Sequence, residues 1–425
     1  MSTSDADETV RLGFTGVGKR GQSLLARCAE MDDVSIEAIC DVQERHLDNV
    51  EESLVADGRP APTRYQDHER MLAGEALDGV IIASSWRLHI PMAIQAMEAG
   101  AWAAMEVGPA SSVEECWDLV KTSERTGQHC MLLENACFGR DRMAVLNMVR
   151  AGLLGELLHA QCGYLHDIRP ELHGFRESRM AEREGMGYRT LHFLKRNADV
   201  YPTHGIGPIA KYMGVNRGNR FMSLTSTATK ARGLERWAQR ELDEDAPTAG
   251  QDWAIGDIVT SVLRCANGET IIINHDCSSP RPKSGMMMVQ GTDGLWNNDQ
   301  EGIHVEDRSP EHEWEPFEEY RDEFEHAVWA EYQDEGVRRG HGGTDYLVMR
   351  SFVQSIAQDV RPPVDVYDAA AWMAISPLSE ESIERGSDSV TFPDFTNGRW
   401  LTDQPTFGAT GDDAGEGVLD FNTLL

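Results

Sequence analysis

The sequence predicts an α/β protein in which a doubly wound parallel sheet is followed by an α+β domain with a large, mostly antiparallel open sheet. The chain has 425 residues, of which 40 % are hydrophobic, and this length exceeds what a single core usually supports. Strand and helix patterns alternate over roughly the first 150 residues, whereas later strand patterns follow one another directly. Two domains are therefore expected.

The first domain, predicted over residues 1–150, shows short apolar runs separated by amphipathic stretches. Its strands are predicted in VRLGFTG, VSIEAIC, LDGVIIASS, AWAAMEVG and HCMLLEN. A helical pattern follows the first strand to about Met31, and others cover HIPMAIQAMEAG and SVEECWDLVKTSERTG. Since parallel neighbours need such crossovers, these strands are expected to form a parallel sheet.

The second domain, predicted over residues 151–412, contains consecutive strand patterns. These are LLHAQCGYLH, RFMSLTSTATK, DIVTSVLRCANGETIIINHDCSS and SGMMMVQGTDGLW, with ANGE as a hairpin turn. The stretch EHEWEPFEEYRDEFEHAVWAEYQDEG predicts an exposed helix with a solvated acidic face, and TDYLVMRSFVQSIAQDV predicts a further helix. The C-terminal helices are in a position to pack back on the first domain, and residues 413–425 are predicted to be an acidic tail.

Charge is the strongest compositional signal. Acidic residues number 71 against 39 basic ones, of which only six are lysines, and the formal net charge is −32. Such a field repels nucleic acid and anionic membranes, so neither is expected as a partner. The composition is typical of proteins that work in high salt, where screening removes the self-repulsion, although an acidic enzyme of an ordinary cytosol has the same signature.

The N-terminus and the cysteines bear on the compartment. The first ten residues are acidic and polar, and no apolar run reaches the roughly 18 residues of a membrane helix, so a soluble, cytoplasmic protein is expected. The eight cysteines include no CxxC pair, and several lie in apolar runs. We therefore expect reduced thiols and no metal site.

A glycine-rich turn follows the first strand and begins a helix. Gly16 permits a tight turn, Gly18 lets the backbone approach a pyrophosphate, and Gly21 brings helix against strand. Asp41 ends the second strand twenty residues after Gly21, where a carboxylate binds ribose hydroxyls and repels a 2′-phosphate. This context predicts a Rossmann domain that binds NAD rather than NADP. The turn also holds two basic residues, Lys19 and Arg20. Each is either a candidate contact to the pyrophosphate or a solvated side chain.

The segment YPTHGIGP, from Tyr201 to Pro208, has two interpretations. Helical spacing of the apolar residues after it, with Pro208 at a first helical position, explains its glycines and proline as a helix start. A histidine just before a helix N-terminus also feels the positive end of the helix dipole, which keeps the ring neutral and available as a base. His204 is therefore a candidate base.

Long stretches of the chain carry a family resemblance. They include MEVGPASSVEECWDLVKTSERTGQHCMLLENACFGRD, LNMVRAGLLGELLHAQCGYLHD, YPTHGIGPIAKYMGVNRGNRF, HDCSSPRP, GHGGTDYLV and DVYDAAAWMAISPLSEESI, and they run in order between about Gly13 and Trp400. The chain resembles the Gfo/Idh/MocA oxidoreductases and, among these, is similar to glycoside hydrolase family 109. The resemblance implies a small-molecule glycoside or sugar as the partner.

This resemblance implies an NAD-dependent glycosidase that does not consume its cofactor. A hydride leaves sugar C3, the resulting ketone acidifies the C2 proton, loss of that proton expels the C1 substituent, water adds at C1, and the hydride returns. Such a route needs bases rather than a pair of carboxylic acids. Two alternatives remain: an NAD-dependent sugar or polyol dehydrogenase in which Lys283 or His204 replaces a missing lysine, and a non-catalytic dinucleotide sensor.

The resemblance also implies site residues. His204 and Tyr164 are the implied catalytic bases, with exchangeable roles, and Tyr201 and Glu134 the implied contacts to sugar hydroxyls. Each has a structural alternative, since Glu134 is able to cap the following turn and a strand tyrosine such as Tyr164 often belongs to a core. His166 shares a strand face with Tyr164. Further cofactor contacts are implied at His89, Glu106 and Asn135.

Two departures from the family pattern stand out. Dehydrogenases of the superfamily carry a catalytic lysine at the position of Val107, whereas the glycosidase branch has a valine there, as this chain does. This chain differs from the glycosidase branch because Gly108 is inserted before Pro109, which predicts a differently shaped turn. Lys283 stands where the glycosidase branch usually has a tyrosine, which predicts altered sugar specificity, for an acidic or differently substituted glycoside. By analogy with the superfamily, the open sheet face predicts a homo-oligomer.

Overall fold

The structure is a computed structural model that describes residues 9–174, 187–336 and 341–403. The predicted tail at 413–425 lies outside these residues. Within them, no helix is long and apolar enough to cross a membrane.

The first sheet has six strands in the order β3-β2-β1-β4-β5-β6, and every neighbouring pair is parallel. The doubly wound parallel sheet is thus confirmed. The segment between the second and fourth strands, which forms a helix, a strand and a helix, was not predicted. The elements are β1 Val10–Thr15, α1 Lys19–Ala29, β2 Val34–Cys40, α2 Glu44–Ala56, β3 Thr63–Tyr65, α3 His68–Gly74, β4 Gly79–Ile82, α4 His89–Glu98, β5 Trp102–Met105, α5 Val113–Thr126 and β6 Cys130–Leu132.

The second sheet has nine strands in the order β14-β13-β12-β11-β7-β10-β9-β8-β15, and all pairs but β7 with β10 are antiparallel. This confirms the large, mostly antiparallel sheet. Its elements and helices are α6 Arg140–Arg150, β7 Leu157–Leu165, α7 Arg169–Leu172, α8 Tyr188–Lys195, α9 Thr203–Tyr212, β8 Phe221–Ala228, α10 Gly233–Glu241, β9 Ile258–Cys265, β10 Thr270–Asp276, β11 Met288–Gly291, β12 Gly294–Asn297, β13 Gly302–Val305, β14 Glu315–Pro316, α11 Phe317–Glu323, α12 Ala327–Gly336, α13 Thr344–Gln358, α14 Val366–Met373, α15 Ile375–Glu384 and β15 Val390–Thr391.

One face of the nine-stranded sheet is covered and the other is open. Along β10, Ile271 and Ile273 are buried while Ile272 between them is partly exposed, which is the period-two pattern of a half-covered sheet. Ile272 lies opposite Val262 of β9 and Gln161 of β7. These half-exposed residues form a row across the open face.

The helix α13 comes late in the chain but packs against α1 and β1 of the first sheet. Arg350 of α13 donates twice to Asp33, at 2.7 Å, in the loop before β2. Phe352 and Ile356 of the same helix lie so close to Gly79 of β4 that a side chain there would overlap them. The first sheet is therefore covered in part by a helix from the second half of the sequence.

The prediction of one exposed acidic helix near residues 311–336 is wrong in two respects. The segment breaks into α11 and α12, and its aromatic side is buried at Phe317, Tyr320 and Trp329. The Trp329 indole donates to the carbonyl of Phe138 at 2.9 Å. Spaced aromatic residues thus direct one face of this acidic stretch into the core.

All eight cysteines are buried and none is paired in a disulfide. The described part of the chain holds no cluster of three or more histidine, cysteine, aspartate or glutamate side chains arranged for a metal ion.

Candidate functional site

The glycine-rich turn has the geometry that a dinucleotide requires. Gly16 has φ +83°, and a Cβ there would lie 2.6 Å from the backbone nitrogen of Ser84. A Cβ at Gly21 would overlap the carbonyl oxygen of Gly16. At Gly18 the nearest atom to a Cβ is His46 Cε1, 3.6 Å away, and no side chain caps the helix that follows. The turn therefore presents uncapped backbone N–H groups to a phosphate, and the residues present fit a nicotinamide dinucleotide.

Asp41 lies directly after β2, beside this turn. Its Oδ1 accepts from the backbone N–H of Gln43 at 2.8 Å, and its Oδ2 lies 3.2 Å from His46 Nδ1. Because His46 also faces Gly18, the carboxylate and the turn share one edge of the sheet. Lys19 is exposed at the first residue of α1. The ribose and pyrophosphate contacts assigned to these side chains stay predictions.

Arg20 belongs to a network of carboxylates. Its Nε donates to Glu106 Oε1 at 2.6 Å, and its two Nη atoms donate to the carboxylate of Asp345 at 2.6 and 3.0 Å. Asn135 donates to the same carboxylate at 2.8 Å. Asp345, which was not among the predicted site residues, thus joins two predicted cofactor contacts, Arg20 and Asn135, and the third, Glu106, joins through Arg20. The pyrophosphate contact of Arg20 stays a prediction.

His89, at the start of α4, is buried. One ring nitrogen, Nε2, lies 3.0 Å from the carbonyl oxygen of Ser84, and Nδ1 has no hydrogen-bond partner among the described residues. Burial lowers the pKa of this imidazole, so the ring is neutral. Its predicted cofactor contact remains untested.

Glu134 follows β6 and is fully buried. Its Oε1 accepts from the backbone N–H of Ala136 at 2.9 Å and lies 2.6 Å from His204 Nδ1. The carboxylate therefore caps the turn and also holds the imidazole. Burial alone would raise the pKa of Glu134, but the contact with His204 and the hydrogen bond from the backbone N–H of Ala136 together outweigh burial and lower it, so the group is ionised.

The expected position of Pro208 at a first helical position is wrong. Helix α9 begins at Thr203, so His204 lies inside its first turn and Pro208 lies in the helix interior. The first turn closes through the carbonyl of Pro202, which accepts from the N–H of Ile206 at 2.9 Å. Pro208 removes the N–H that would have bonded to the carbonyl of His204. The early start shows that backbone bonds before the proline determine where this helix begins.

The two glycines of the segment do more than start a helix. A Cβ at Gly205 would lie 2.9 Å from the backbone nitrogen of Gly163 in β7, and a Cβ at Gly207 would lie 2.9 Å from Glu134 Cγ. Real Cβ atoms do not approach so closely. The glycines therefore allow α9 to approach β7 and Glu134, and this approach brings His204 to the carboxylate.

Tyr164, Tyr201 and His204 form one aromatic cluster. The ring centroids of the two tyrosines lie 4.6 Å apart, and those of His204 lie 5.7 Å from Tyr164 and 5.0 Å from Tyr201. The Tyr164 hydroxyl lies 3.4 Å from His166 Nδ1. Burial raises the pKa of both phenols, partly offset by the nearby Arg189. Three separated segments, including that of Glu134, thus meet in this cluster.

Trp86 and Arg189 complete the cluster and were missed. The Trp86 ring stacks on Tyr201 with centroids 5.1 Å apart, and the Arg189 guanidinium lies 5.0 Å from the centroids of both rings. A Cβ at Gly108 would lie 2.7 Å from Trp86 Cδ1. The inserted glycine therefore shapes the turn after β5 around this ring. Trp86 lies three residues before His89, a predicted cofactor contact, and this position was the sequence signal that could have identified it.

Lys283 is exposed at the rim of this cluster. The next residue, Ser284, pairs with Leu165 of β7 through two backbone hydrogen bonds, of 2.9 and 3.2 Å. The side chain is near His166, whose pKa is lowered by burial and then by the Lys283 charge. The predicted substrate contact of Lys283 stays a prediction.

Two family models match the chain. Residues 10–133 match an oxidoreductase family with an NAD-binding Rossmann fold, and residues 138–402 match the glycosyl hydrolase 109 C-terminal domain.

A glycosyl hydrolase family 109 protein from Parabacteroides distasonis is 44% identical over 419 residues, which is 94% of this chain and 90% of that protein. A protein of Tannerella forsythia named alpha-N-acetylgalactosaminidase is also 44% identical, over 95% of this chain and 89% of that protein.

Solved structures support the fold alone. A levoglucosan dehydrogenase in complex with NADH and levoglucosan superimposes with a TM-score of 0.66 at 17% identity, over 91% of this chain and 100% of that one. A scyllo-inositol dehydrogenase from Lactobacillus casei with NAD(H) and scyllo-inositol gives 0.63 at 14% identity, over 90% and 99%.

Proposed function

This chain belongs to glycosyl hydrolase family 109 of the Gfo/Idh/MocA oxidoreductases, and from that premise we propose that it cleaves glycosides at the His204 and Tyr164 cluster with an NAD that is returned unchanged. The observation that carries the proposal is the 2.6 Å contact between Glu134 and His204 inside an aromatic cluster. Trp86 joins this cluster to the loops that follow β4 and β5. The bases and the cofactor edge are therefore neighbours.

When bound, the nicotinamide supplies an acceptor for the hydride at sugar C3 and returns it after cleavage. The glycine-rich turn, Asp41 and Glu106 would hold the dinucleotide. His204 takes the proton of the C3 hydroxyl with Nε2, because Glu134 accepts from Nδ1–H and so fixes the tautomer. Glu134 also stabilises the imidazolium that results.

The second proton is the one at C2, which the neighbouring ketone acidifies. Tyr164 takes it in this scheme, with Tyr201 and Glu134 binding sugar hydroxyls. Because burial opposes the phenolate, the phenol needs a neighbour that receives its proton, and His166 Nδ1 at 3.4 Å is placed for this. The two base roles are exchangeable, and substitution of each residue separates them.

The dehydrogenase alternative fits less well. Val107 occupies the position of the dehydrogenase lysine and is buried, so it donates no proton there. The experiment supplies aryl glycosides and free sugars with NAD. Aglycone release without net NADH supports the glycosidase, net NADH supports a dehydrogenase, and binding without either supports a sensor.

Cofactor choice and substrate follow from two charged residues. The carboxylate of Asp41 repels a 2′-phosphate, so NAD is expected to bind more tightly than NADP. Lys283 adds a positive charge at the rim of the cluster, so we expect the substrate to be an acidic or differently substituted glycoside. This substrate would differ from the one indicated by the name of the Tannerella forsythia relative, alpha-N-acetylgalactosaminidase. A Lys283→Tyr variant that keeps the same activity and substrate range would contradict this.

Assembly and salt follow from the surface. The open face of the nine-stranded sheet exposes part of Ile272 and Val262, and we expect it to join copies of the chain. Light scattering of wild type and of Ile272→Glu tests this, because the charge would dissociate the oligomer.

The net charge of −32 favours work in high salt, and unfolding temperatures measured in rising KCl are expected to increase.

A further inference from the structure

Asp345 is a buried carboxylate that comes from outside the first sheet. It lies in the first turn of α13, more than 200 residues after β6, and its side chain is fully buried. A buried charge is stable only when it is paired and hydrogen-bonded. What surrounds Asp345 therefore indicates what it does.

Four donors fill the two oxygens of Asp345. Oδ1 accepts from Arg20 Nη2 at 3.0 Å and from Asn135 Nδ2 at 2.8 Å. Oδ2 accepts from Arg20 Nη1 at 2.6 Å and lies 2.7 Å from His341 Nδ1. The two bonds from Arg20 form a bidentate fork, which fixes orientation as well as distance.

The donors belong to different loops at one edge of the six-stranded sheet. Arg20 is in the first turn of α1 after β1, and Asn135 follows β6. Arg20 also donates to Glu106, after β5, at 2.6 Å. Doubly wound sheets bind ligands at this carboxyl edge. Asp345 thus joins the loops after β1 and β6 directly, and the loop after β5 through Arg20.

The charge of the network is maintained across the neutral pH range. Burial alone would raise the pKa of Asp345, but hydrogen bonds from His341 and Arg20 hold it well below its ordinary value. The carboxylate is therefore ionised whenever Arg20 is charged. An asparagine of the same shape would place an NH2 group against one of these donors, and the fork would be lost.

We propose that Asp345 is a positioning residue for the nicotinamide half of the cofactor, because it holds Arg20 and Asn135 directly, and Glu106 through Arg20, at the carboxyl edge. The adenosine half and the pyrophosphate lie in this proposal at Asp41 and at the backbone N–H groups of the glycine-rich turn, whereas the guanidinium of Arg20 is engaged by Glu106 and Asp345 instead. The inference rests on the proposed cofactor site. It predicts that loss of Asp345 weakens ligands that carry a nicotinamide and spares those that do not.

The test compares NAD with ADP-ribose, which lacks the nicotinamide, by calorimetric titration of the full chain. Asp345→Asn is expected to weaken NAD binding by about 10- to 100-fold and ADP-ribose binding by less than about threefold. The matched control is Asp33→Asn, which removes the pair that Arg350 of the same helix makes at the opposite edge of the sheet. It is expected to leave both affinities unchanged.

A second variant covers the case in which Asp345→Asn does not fold. Arg20→Lys keeps the charge but cannot bridge Glu106 and Asp345 with a planar fork, and the same selective loss is expected. NAD affinity within about threefold of wild type, or equal loss for both ligands, would overturn this inference alone. Wild-type protein that binds neither ligand would overturn the proposed function as well.

Discussion

Replacement of Glu134 by glutamine tests the role of the buried carboxylate beside His204. The backbone N–H of Ala136 donates to Oε1, and this bond orients the new amide so that its oxygen stays at the Oε1 position. That oxygen still accepts from His204 Nδ1–H. Glu134→Gln therefore keeps the tautomer of His204 and removes mainly the charge.

The size of the effect follows from the geometry. The two contacting atoms are 2.6 Å apart, which places the charge centres of carboxylate and imidazolium about 4 Å apart. At an effective dielectric of about 20, the attraction is about 4 kcal/mol for a full imidazolium and about 2 kcal/mol at half proton transfer. The turnover number is therefore expected to fall by about 30-fold to about 1000-fold.

The assay is aglycone release from an aryl glycoside at saturating NAD, with kcat as the readout. Unfolding temperature and NAD affinity serve as controls, and both are expected to stay close to the wild-type values because the side-chain shape is kept. A glutamine variant that binds NAD and retains kcat within about threefold of wild type would refute the reasoning, since the charge would then contribute less than about 1 kcal/mol.

Three further predictions concern packing and pH. Gly207→Ala places a methyl group 2.9 Å from Glu134 Cγ and is expected to lower kcat by about tenfold or more while NAD still binds. Aglycone release measures kcat, and calorimetric titration measures NAD binding. Asp368→Asn breaks a fully buried pair with Arg217 and is expected to lower the free energy of unfolding by about 3–5 kcal/mol in urea titrations. Burial lowers the pKa of His275 to about 3 from 6.5, so between these values the unfolded chain binds a proton that the folded chain does not. Stability is therefore lost as pH falls below 6.5, and His275→Leu should reduce the loss between pH 7 and pH 5 by about 2 kcal/mol.

Much of the fold could be predicted from the sequence because local patterns determine it. The strand VSIEAIC coincides with β2, and Gly16 and Gly21 of the turn stand where the backbone excludes a Cβ. The start of α9 could not be predicted, because a proline usually begins a helix and here the bonds to Pro202 decide. The acidic stretch after residue 310 was misjudged because its charge concealed a buried aromatic side.

The candidate site could be predicted only in part. Glu134, Tyr164, Tyr201 and His204 were selected from the family resemblance, and nothing in their spacing indicates that they meet. Asp345 could not be found in this way, since its partners are hundreds of residues away and their pairing depends on how α13 packs on the first sheet. Long-range contacts of this kind require the tertiary structure.

The most direct test of the account is the isotope content of the sugar released in heavy water. The protein, NAD and an aryl glycoside are incubated in D2O, and the product is examined by proton NMR while absorbance follows NADH. Redox-neutral cleavage predicts deuterium at C2 of every released sugar and no net NADH. Released sugar that keeps its C2 proton would contradict the account, because no C2 deprotonation would have occurred.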